Sequence, residues 1–249
     1  YQFMQMKILK KLIFLRVYFY LLIIWFGEMY KKNFFFIVFE GIEGSGKSYQ
    51  SKKLFRNLIN KAISTVLTRE PGGTKSAEEI RKIILKDYFH KDTKIQFDKY
   101  TDTLLYLAAR NEHIKNTINT AYLKKKVLIC DRFVDSTYAY QVYGKGVKRS
   151  FIDSIHKHIL KKIKPDLTFV LKVRIQMALK RLRKRAKKNR YDKFSKSFYI
   201  KAQNAFIKIA KKNRNKYYIF DNSNDSRDLE DKILEIVLKK IKYKNDKKK

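Results

Sequence analysis

Phe34-Phe-Phe-Ile-Val-Phe-Glu-Gly-Ile-Glu-Gly-Ser-Gly-Lys-Ser48 decides how this chain is read. The run from Phe34 to Phe39 is aromatic or branched apolar throughout, the pattern of a strand covered on both faces. It leads into Gly41 and Gly46, with four residues between them and followed by Lys47 and Ser48, which is the spacing of a phosphate-binding loop. Glycines let the backbone curl until successive N–H groups point at phosphate oxygens. The helix that follows adds the partial positive charge of its N-terminus. Gly41, Ile42, Glu43, Gly44, Ser45, Gly46, Lys47 and Ser48 are therefore the candidate ATP site. Within it Lys47 supplies a catalytic cation for the β and γ phosphates, and Ser48 a hydroxyl for Mg²⁺.

Working outward, short apolar runs alternate with longer helical patterns, as in a parallel sheet with crossover helices. Strands are expected at Phe34 to Phe39, Ser64 to Thr68, Val127 to Asp131, Leu167 to Val173 and Tyr217 to Phe220. Helices are expected at Lys47 to Asn60, Ala77 to Asp87, Lys99 to Leu123, Ser150 to Ile163, Ile175 to Lys187, Lys193 to Lys212 and Leu229 to Ile241. The fold class is α/β, a three-layer α/β/α arrangement around a five-stranded parallel sheet. Pro71 and Pro165 both fall beside expected strands, where loops belong. There is no internal repeat.

At 249 residues and 45% apolar content the chain fits one domain with a sizeable core. The net charge of +36 invites a nucleic-acid partner. Lysine, however, is spread along the whole chain together with Ile, Asn, Phe and Tyr, so a solvated basic surface is the better reading and no nucleic acid is expected. The terminal run Lys239 to Lys249 reads as a frayed, solvated helix tail. One cysteine, Cys130, excludes an internal disulfide, and its apolar neighbours make it a buried strand thiol. The four histidines lack metal-ligand spacing. Leu12 to Phe26 resembles a signal-peptide core, but Arg16 interrupts it and no small-residue cleavage site follows. Residues 1–28 are therefore expected to be an extension outside the fold, with the domain covering 29–249 and a membrane role disfavoured.

A phosphate loop alone leaves the acceptor open, because ATPases, GTPases and small-molecule kinases share it. The guanine-reading Asn-Lys-x-Asp pattern is absent, which counts against a GTPase switch. Four further segments narrow the choice: Thr68-Arg-Glu-Pro-Gly-Gly-Thr74, Leu104-Leu-Tyr-Leu-Ala-Ala-Arg110, Asp131-Arg-Phe-Val-Asp-Ser-Thr-Tyr-Ala-Tyr-Gln141 and Pro165-Asp-Leu-Thr168. In this order, and together with the phosphate loop, they resemble the thymidylate kinases.

The residues permit a physical reading beside that resemblance. Arg69 ends the second strand at the carboxyl edge, where α/β ligands bind, and its guanidinium suits a phosphate; a surface ion pair with Glu70 is the competing reading. Tyr106 and Arg110 lie four apart on one helix face, an aromatic plane beside a fork of donors. Asp131 closes the third strand as a carboxylate for Mg²⁺. The resemblance implies more: Arg69 and Arg132 on the dTMP phosphate, Tyr106 stacked on thymine, Arg110 bonded to the base, and Ser136, Thr137, Tyr140 and Gln141 along the nucleoside. It places Glu43 near the sugar 3′-hydroxyl, and Tyr140 where a 2′-hydroxyl would sit. A lid spanning 181–192 resembles the subtype that carries its catalytic arginines there, which implies Arg185 and Arg190.

The implied reaction is ATP-dependent conversion of dTMP to dTDP with Mg²⁺, in a cytoplasmic homodimer packed through helices such as Lys99 to Leu123. Two departures stand out. Leu171-Lys-Val-Arg-Ile-Gln176 replaces the usual Leu-Asp-Val and Pro-Glu, and the turn after Gln141 holds fewer glycines. Another P-loop nucleoside or nucleotide kinase, or a basic nucleic-acid or membrane-surface protein with a decayed loop, are the remaining alternatives.

Overall fold

The computed structural model describes residues 33–86, 89–90, 93–94, 97–184, 190–224 and 228–246, and singly Ile13 and Arg16. Apart from those two residues the expected extension 1–28 lies outside the described residues, as do Arg185 and the rest of 185–189 within the expected lid.

Five strands form one sheet: β1 (Phe35–Glu40), β2 (Thr65–Arg69), β5 (Val127–Asp131), β6 (Leu167–Lys172) and β7 (Tyr217–Asp221), in the order β2-β5-β1-β6-β7. Every neighbouring pair is parallel. A small antiparallel pair, β3 (Phe89–His90) with β4 (Thr93–Lys94), was not expected from the sequence. The helices in chain order are α1 (Lys47–Asn60), α2 (Lys75–Leu85), α3 (Lys99–His113), α4 (Asn119–Leu123), α5 (Val134–Thr137), α6 (Arg149–Leu160), α7 (Ile175–Arg183), α8 (Lys196–Lys212) and α9 (Asp228–Asp246).

Side chains alternate across β1 and so build both outer layers. Phe35, Ile37 and Phe39 meet Leu54 and Leu58 of α1 and Leu229, Ile233 and Val237 of α9. Phe36 and Val38 meet Ile114, Ile118, Leu128 and Phe133 on the opposite face. Beside that second layer, Val170 packs with Tyr140 and with Tyr199, Ala202 and Phe206 of α8. Burial of each such large apolar side chain contributes about 1.5–3 kcal/mol, enough to fix which face of each strand points inward.

Element ends differ from the sequence expectation for local reasons. Helix α2 starts at Lys75 because Thr74 Oγ1 caps it, accepting from Ala77 N at 3.0 Å. Ser195 caps α8 in the same way, so that helix begins at Lys196 and not Lys193. Helix α6 stops at Leu160, where Lys161 takes φ 50°. The expected helix from Lys99 to Leu123 is continuous but passes through a π turn at Ile114–Ile118 between α3 and α4. A second π segment, Tyr138–Gly144, extends α5.

The tail expected to fray is helical to Asp246 and docked as far as Asn245. Lys244 Nζ reaches Asp166 Oδ1 at 2.7 Å and the Phe34 carbonyl at 2.8 Å, and Asn245 accepts from Asn33. Cys130 is fully buried, and burial pushes its thiol up. Among the described residues no helix is long and apolar enough to cross a membrane.

Candidate active site

The register β2–β5–β1 brings Arg69, Asp131 and Phe39 level with one another, so the loops leaving these three strands open into one cleft of about 980 Å³. Its donor end is the glycine loop. Gly46, at φ 91°, turns the chain into α1, and an added Cβ there would lie 2.2 Å from Asn222 Nδ2. That amide donates to the Ser45 carbonyl at 2.8 Å, tying the loop to the end of β7. Lys47 Nζ folds back onto the Ile42 carbonyl at 2.7 Å and is almost wholly buried. Burial, then the charge of Arg132, pushes its ammonium down to about 8. Ser48 Oγ donates to Asp131 Oδ2, so two hard oxygen donors from different elements meet beside the loop.

The turn after β5 carries the centre of the cleft. Arg132 adopts φ 74°, left-handed and sparsely populated for a non-glycine residue, and its amide donates to the Phe39 carbonyl at 2.9 Å. Glu40, fully buried at the end of β1, fixes this turn by accepting from Phe133 N at 2.8 Å, Ser136 N at 3.2 Å and Ser136 Oγ at 2.6 Å. Burial and the neighbouring Asp135 raise the Glu40 carboxyl to about 8. The Arg132 guanidinium donates to Glu43 Oε1 at 2.7 Å, to the Gly41 carbonyl at 2.9 Å and to Ser136 Oγ at 3.0 Å. Glu43 also accepts from the Tyr140 hydroxyl, and the Arg132 cation lies 5.2 Å from the Tyr140 ring centre. Although burial works against the cation, Glu43, Tyr140, Asp131 and Glu40 together outweigh it and Arg132 stays firmly protonated.

Helix α3 supplies the far wall. Tyr106 and Arg110 both line the cleft, but Arg110 is 3% exposed and heavily committed. Its Nε donates to Glu70 Oε2 at 2.7 Å, Nη1 to Thr137 Oγ1 at 2.7 Å and His156 Nε2 at 2.8 Å, and Nη2 to the Phe133 carbonyl at 2.8 Å. These bonds take four of the five N–H donors of a guanidinium, leaving one on Nη2. Burial, then the Arg110 charge, pushes His156 down to about 3, which keeps it neutral and able to accept. Glu70 also meets His113 Nδ1 at 2.9 Å, and His113 Nε2 meets Thr68 Oγ1 at 2.8 Å. Burial would raise Glu70, but Arg110 and His113 together hold it below the usual carboxylate range.

Arg69 stands at the cleft edge as the sequence suggested but with a different ion-pair partner, and Arg190 stands behind the cleft wall. Arg69 lines the cleft and is about half exposed, and its ion pair is with Glu78 at 3.0 Å; Glu70 faces inward instead. Arg190 is bonded to Asp102 and Tyr106 and does not line the cleft. Of the remaining expected residues, Glu43, Gly44, Gly46, Lys47, Ser48, Asp131, Arg132, Ser136, Thr137, Tyr140 and Gln141 share the cleft lining. Gly41, Ile42 and Ser45 complete the loop behind it.

A strand, a glycine loop and a helix opposite a buried arginine network fit several kinases, and comparison with known proteins separates them. Residues 39–233 match the family model described as thymidylate kinase. The chain belongs to the thymidylate kinase family. It is 41% identical to a thymidylate kinase of Wolbachia pipientis from Culex pipiens over 211 residues, covering 83% of this chain and 97% of that one. Another thymidylate kinase, from Ehrlichia chaffeensis, is 37% identical over 198 residues, covering 79% of this chain and 92% of its own. A crystal structure of thymidylate kinase from Ehrlichia chaffeensis superposes with a TM-score of 0.63 at 31% identity, covering 83% of this chain and 99% of the other. Thymidylate kinases use ATP to phosphorylate dTMP to dTDP, and this is the reaction of the chain.

Within this thymidylate kinase, one cleft arginine, Arg81, has no counterpart among the residues chosen from the sequence, and a second, Arg181, opens the expected lid. Arg81, on α2, lines the cleft and is held by the Pro71 carbonyl at 2.6 Å. Its position on the buried side of an amphipathic helix, three residues before Ile84, is the signal that could have found it. Arg181 donates to the Gly44 carbonyl at 3.0 Å and the Asn222 carbonyl at 2.9 Å, so α7 is anchored to the thymidylate kinase phosphate loop. Asn222 carried no motif at all.

Proposed function

We propose that the cleft seats ATP on the glycine loop and dTMP between Arg132 and α3. The observation carrying this reading is the chain of contacts Tyr140–Glu43–Arg132–Gly41, which joins the acceptor side to the phosphate loop through three side chains and the Gly41 carbonyl. Arg132, Arg69 and Arg81 are assigned to the acceptor phosphate, each being a cationic group lining the same space. Tyr106 is assigned to the thymine face, and the remaining Arg110 Nη2 donor to the base edge. Ser136, Thr137, Tyr140 and Gln141 flank the nucleoside, and Glu43 reaches its 3′-hydroxyl once dTMP displaces the Tyr140 bond.

Ser48 and Asp131 would hold Mg²⁺, whose preference for hard oxygen ligands beside phosphates they fit; when bound, it neutralises phosphate charge. A dTMP phosphate oxygen attacks the γ-phosphorus in line, the bond to the β-phosphate oxygen breaks, and ADP leaves. Lys47 and the loop amides bear the developing charge, and Arg132 aligns the attacking phosphate. Arg185 keeps its proposed role at the transferring group. The domain is read as 29–249 with a lid over 181–192.

A homodimer is supported by Leu104, Tyr122 and Leu123, which are 48%, 62% and 77% exposed along α3 and α4. A cytoplasmic location goes with an ATP-consuming reaction and a free, buried thiol. Side-by-side turnover of dTMP, dUMP, dCMP and thymidine tests the reading. The expected result is dTMP first by kcat/KM, with turnover abolished by a chelator and restored by Mg²⁺. Preference for another acceptor would overturn the seating of thymine.

A further inference from the structure

Asp102 lies one turn before Tyr106 on α3, and its carboxylate is fully buried. Oδ2 accepts from Lys145 Nζ at 2.7 Å, and Oδ1 accepts from Arg190 Nη2. The same Nη2 donates to the Tyr106 hydroxyl at 3.2 Å. The Arg190 guanidinium sits 5.9 Å from the Tyr106 ring centre and 5.5 Å from that of Tyr191. Its Nε is buried without a hydrogen-bond partner. Both tyrosines line the cleft, whereas Asp102 and Arg190 do not.

A buried carboxylate on a helix is expensive unless paired, so packing alone would not select Asp102 at this position. Its two cations come from separate segments, Lys145 after the second π turn and Arg190 at the start of the turn Arg190–Lys193. The product is a guanidinium clamped behind the aromatic wall of the acceptor site, touching that wall by a hydrogen bond and by its charge over two rings.

We propose that Arg190, held by Asp102, is a positioning residue that fixes the tilt of Tyr106 and so the plane on which thymine stacks, and that it donates no charge to the transferring phosphoryl group. The inference rests on the assignment of Tyr106 to the base and refines it. Neutralising Asp102 removes the ion pair that orients Arg190 and, with it, the alignment imposed on the Tyr106 bond. What remains is the looser attraction of a cation for ring faces. A mis-set stacking platform weakens dTMP binding in ground state and transition state alike, so it raises KM and leaves kcat nearly intact.

The experiment uses the full chain with Arg190→Met, Asp102→Asn, the double variant and Arg190→Lys. Arg190→Met and Asp102→Asn are each expected to raise KM for dTMP about tenfold while kcat stays within about threefold, the loss of one charge-assisted contact. The double variant should be no worse than the poorer single one, because both changes break the same unit. Arg190→Lys, which can still reach Asp102, should recover most of the KM. Calorimetric dTMP binding without ATP should weaken in parallel.

A fall in kcat of a hundredfold or more with KM for dTMP unchanged would put Arg190 on the phosphoryl group and overturn the proposal. Unchanged kinetics in all variants, or multiplied effects in the double variant, would overturn it equally. If Arg190→Met melts below the assay temperature, Asp102→Asn and Arg190→Lys carry the same comparison. Tyr106→Leu separates the underlying assignment: should it leave KM for dTMP untouched, the base lies elsewhere, whatever Arg190 does.

Discussion

Glu70→Gln tests the buried network behind the acceptor site with little change in shape. The amide oxygen can keep the bond from Arg110 Nε, now at 2.7 Å, and the amide N–H can face His113 Nδ1, now at 2.9 Å. His113 accommodates this by carrying its proton on Nε2, where Thr68 Oγ1 lies 2.8 Å away. What disappears is the negative charge opposite an Arg110 side chain that is 3% exposed. Breaking a buried pair by neutralising one partner costs about 3–5 kcal/mol, and the conserved geometry places this case near the lower bound. A loss of about 3 kcal/mol lowers Tm by about 6–12 °C for a chain of this size.

Urea denaturation and thermal melts at pH 7 measure it, with Glu79→Gln as the control. The exposed Glu79–Lys82 pair should cost less than about 0.5 kcal/mol. The pH dependence has a fixed sign. Glu70 is held below its ordinary 4.5 in the folded protein, so its contribution is present above that value and lost as pH falls below it. The gap between parent and variant should therefore close on acidification below about 4.5. Glu70→Gln with Arg110→Met should regain stability without regaining dTMP binding. A single-variant loss under about 1 kcal/mol, or a gap that widens in acid, would refute the argument that Glu70 stabilises a buried cation.

Two further outcomes follow from the donor loop. Lys47 is pushed down to about 8, so its cation is depleted as pH rises through that value, and ATP affinity should then weaken by up to about tenfold per pH unit; Lys47→Arg should flatten the profile in a fluorescence titration with an ATP analogue, and a flat parent profile would contradict the assignment. Gly46→Ala meets Asn222 Nδ2 at 2.2 Å in a left-handed backbone that costs about 1–2 kcal/mol for an L side chain, so KM for ATP should rise at least about tenfold. Adding Asn222→Ala should remove the collision and recover only part of the loss, whereas full recovery would show that the backbone angle is unimportant.

The sheet was legible because three strands, β1, β5 and β6, are buried on both faces and read as almost wholly apolar runs. The phosphate loop was legible because its spacing is dictated by backbone curvature. Edges were less so. Thr74 and Ser195 shift two helix starts through single capping bonds, and the π turns at Ile114–Ile118 and Tyr138–Gly144 leave no mark in a periodicity of three and four. Long cationic side chains were the least legible. Arg69 chooses Glu78 over its neighbour Glu70, and Arg190 turns to Asp102, 88 positions away, because the partner is set by tertiary packing and not by sequence distance. Asn222 shows the same limit from the other side, since it sits in no recognisable pattern.

The amide of Asn222 that secures the Ser45 carbonyl follows directly on the last strand, 177 positions after the residue it holds. During synthesis the chain therefore emerges with its glycine loop early and the clasp for that loop late. A nascent chain released from the ribosome before residue 222 has the loop's sequence but not its restraint, so ATP capture marks the end of folding and cannot guide its beginning.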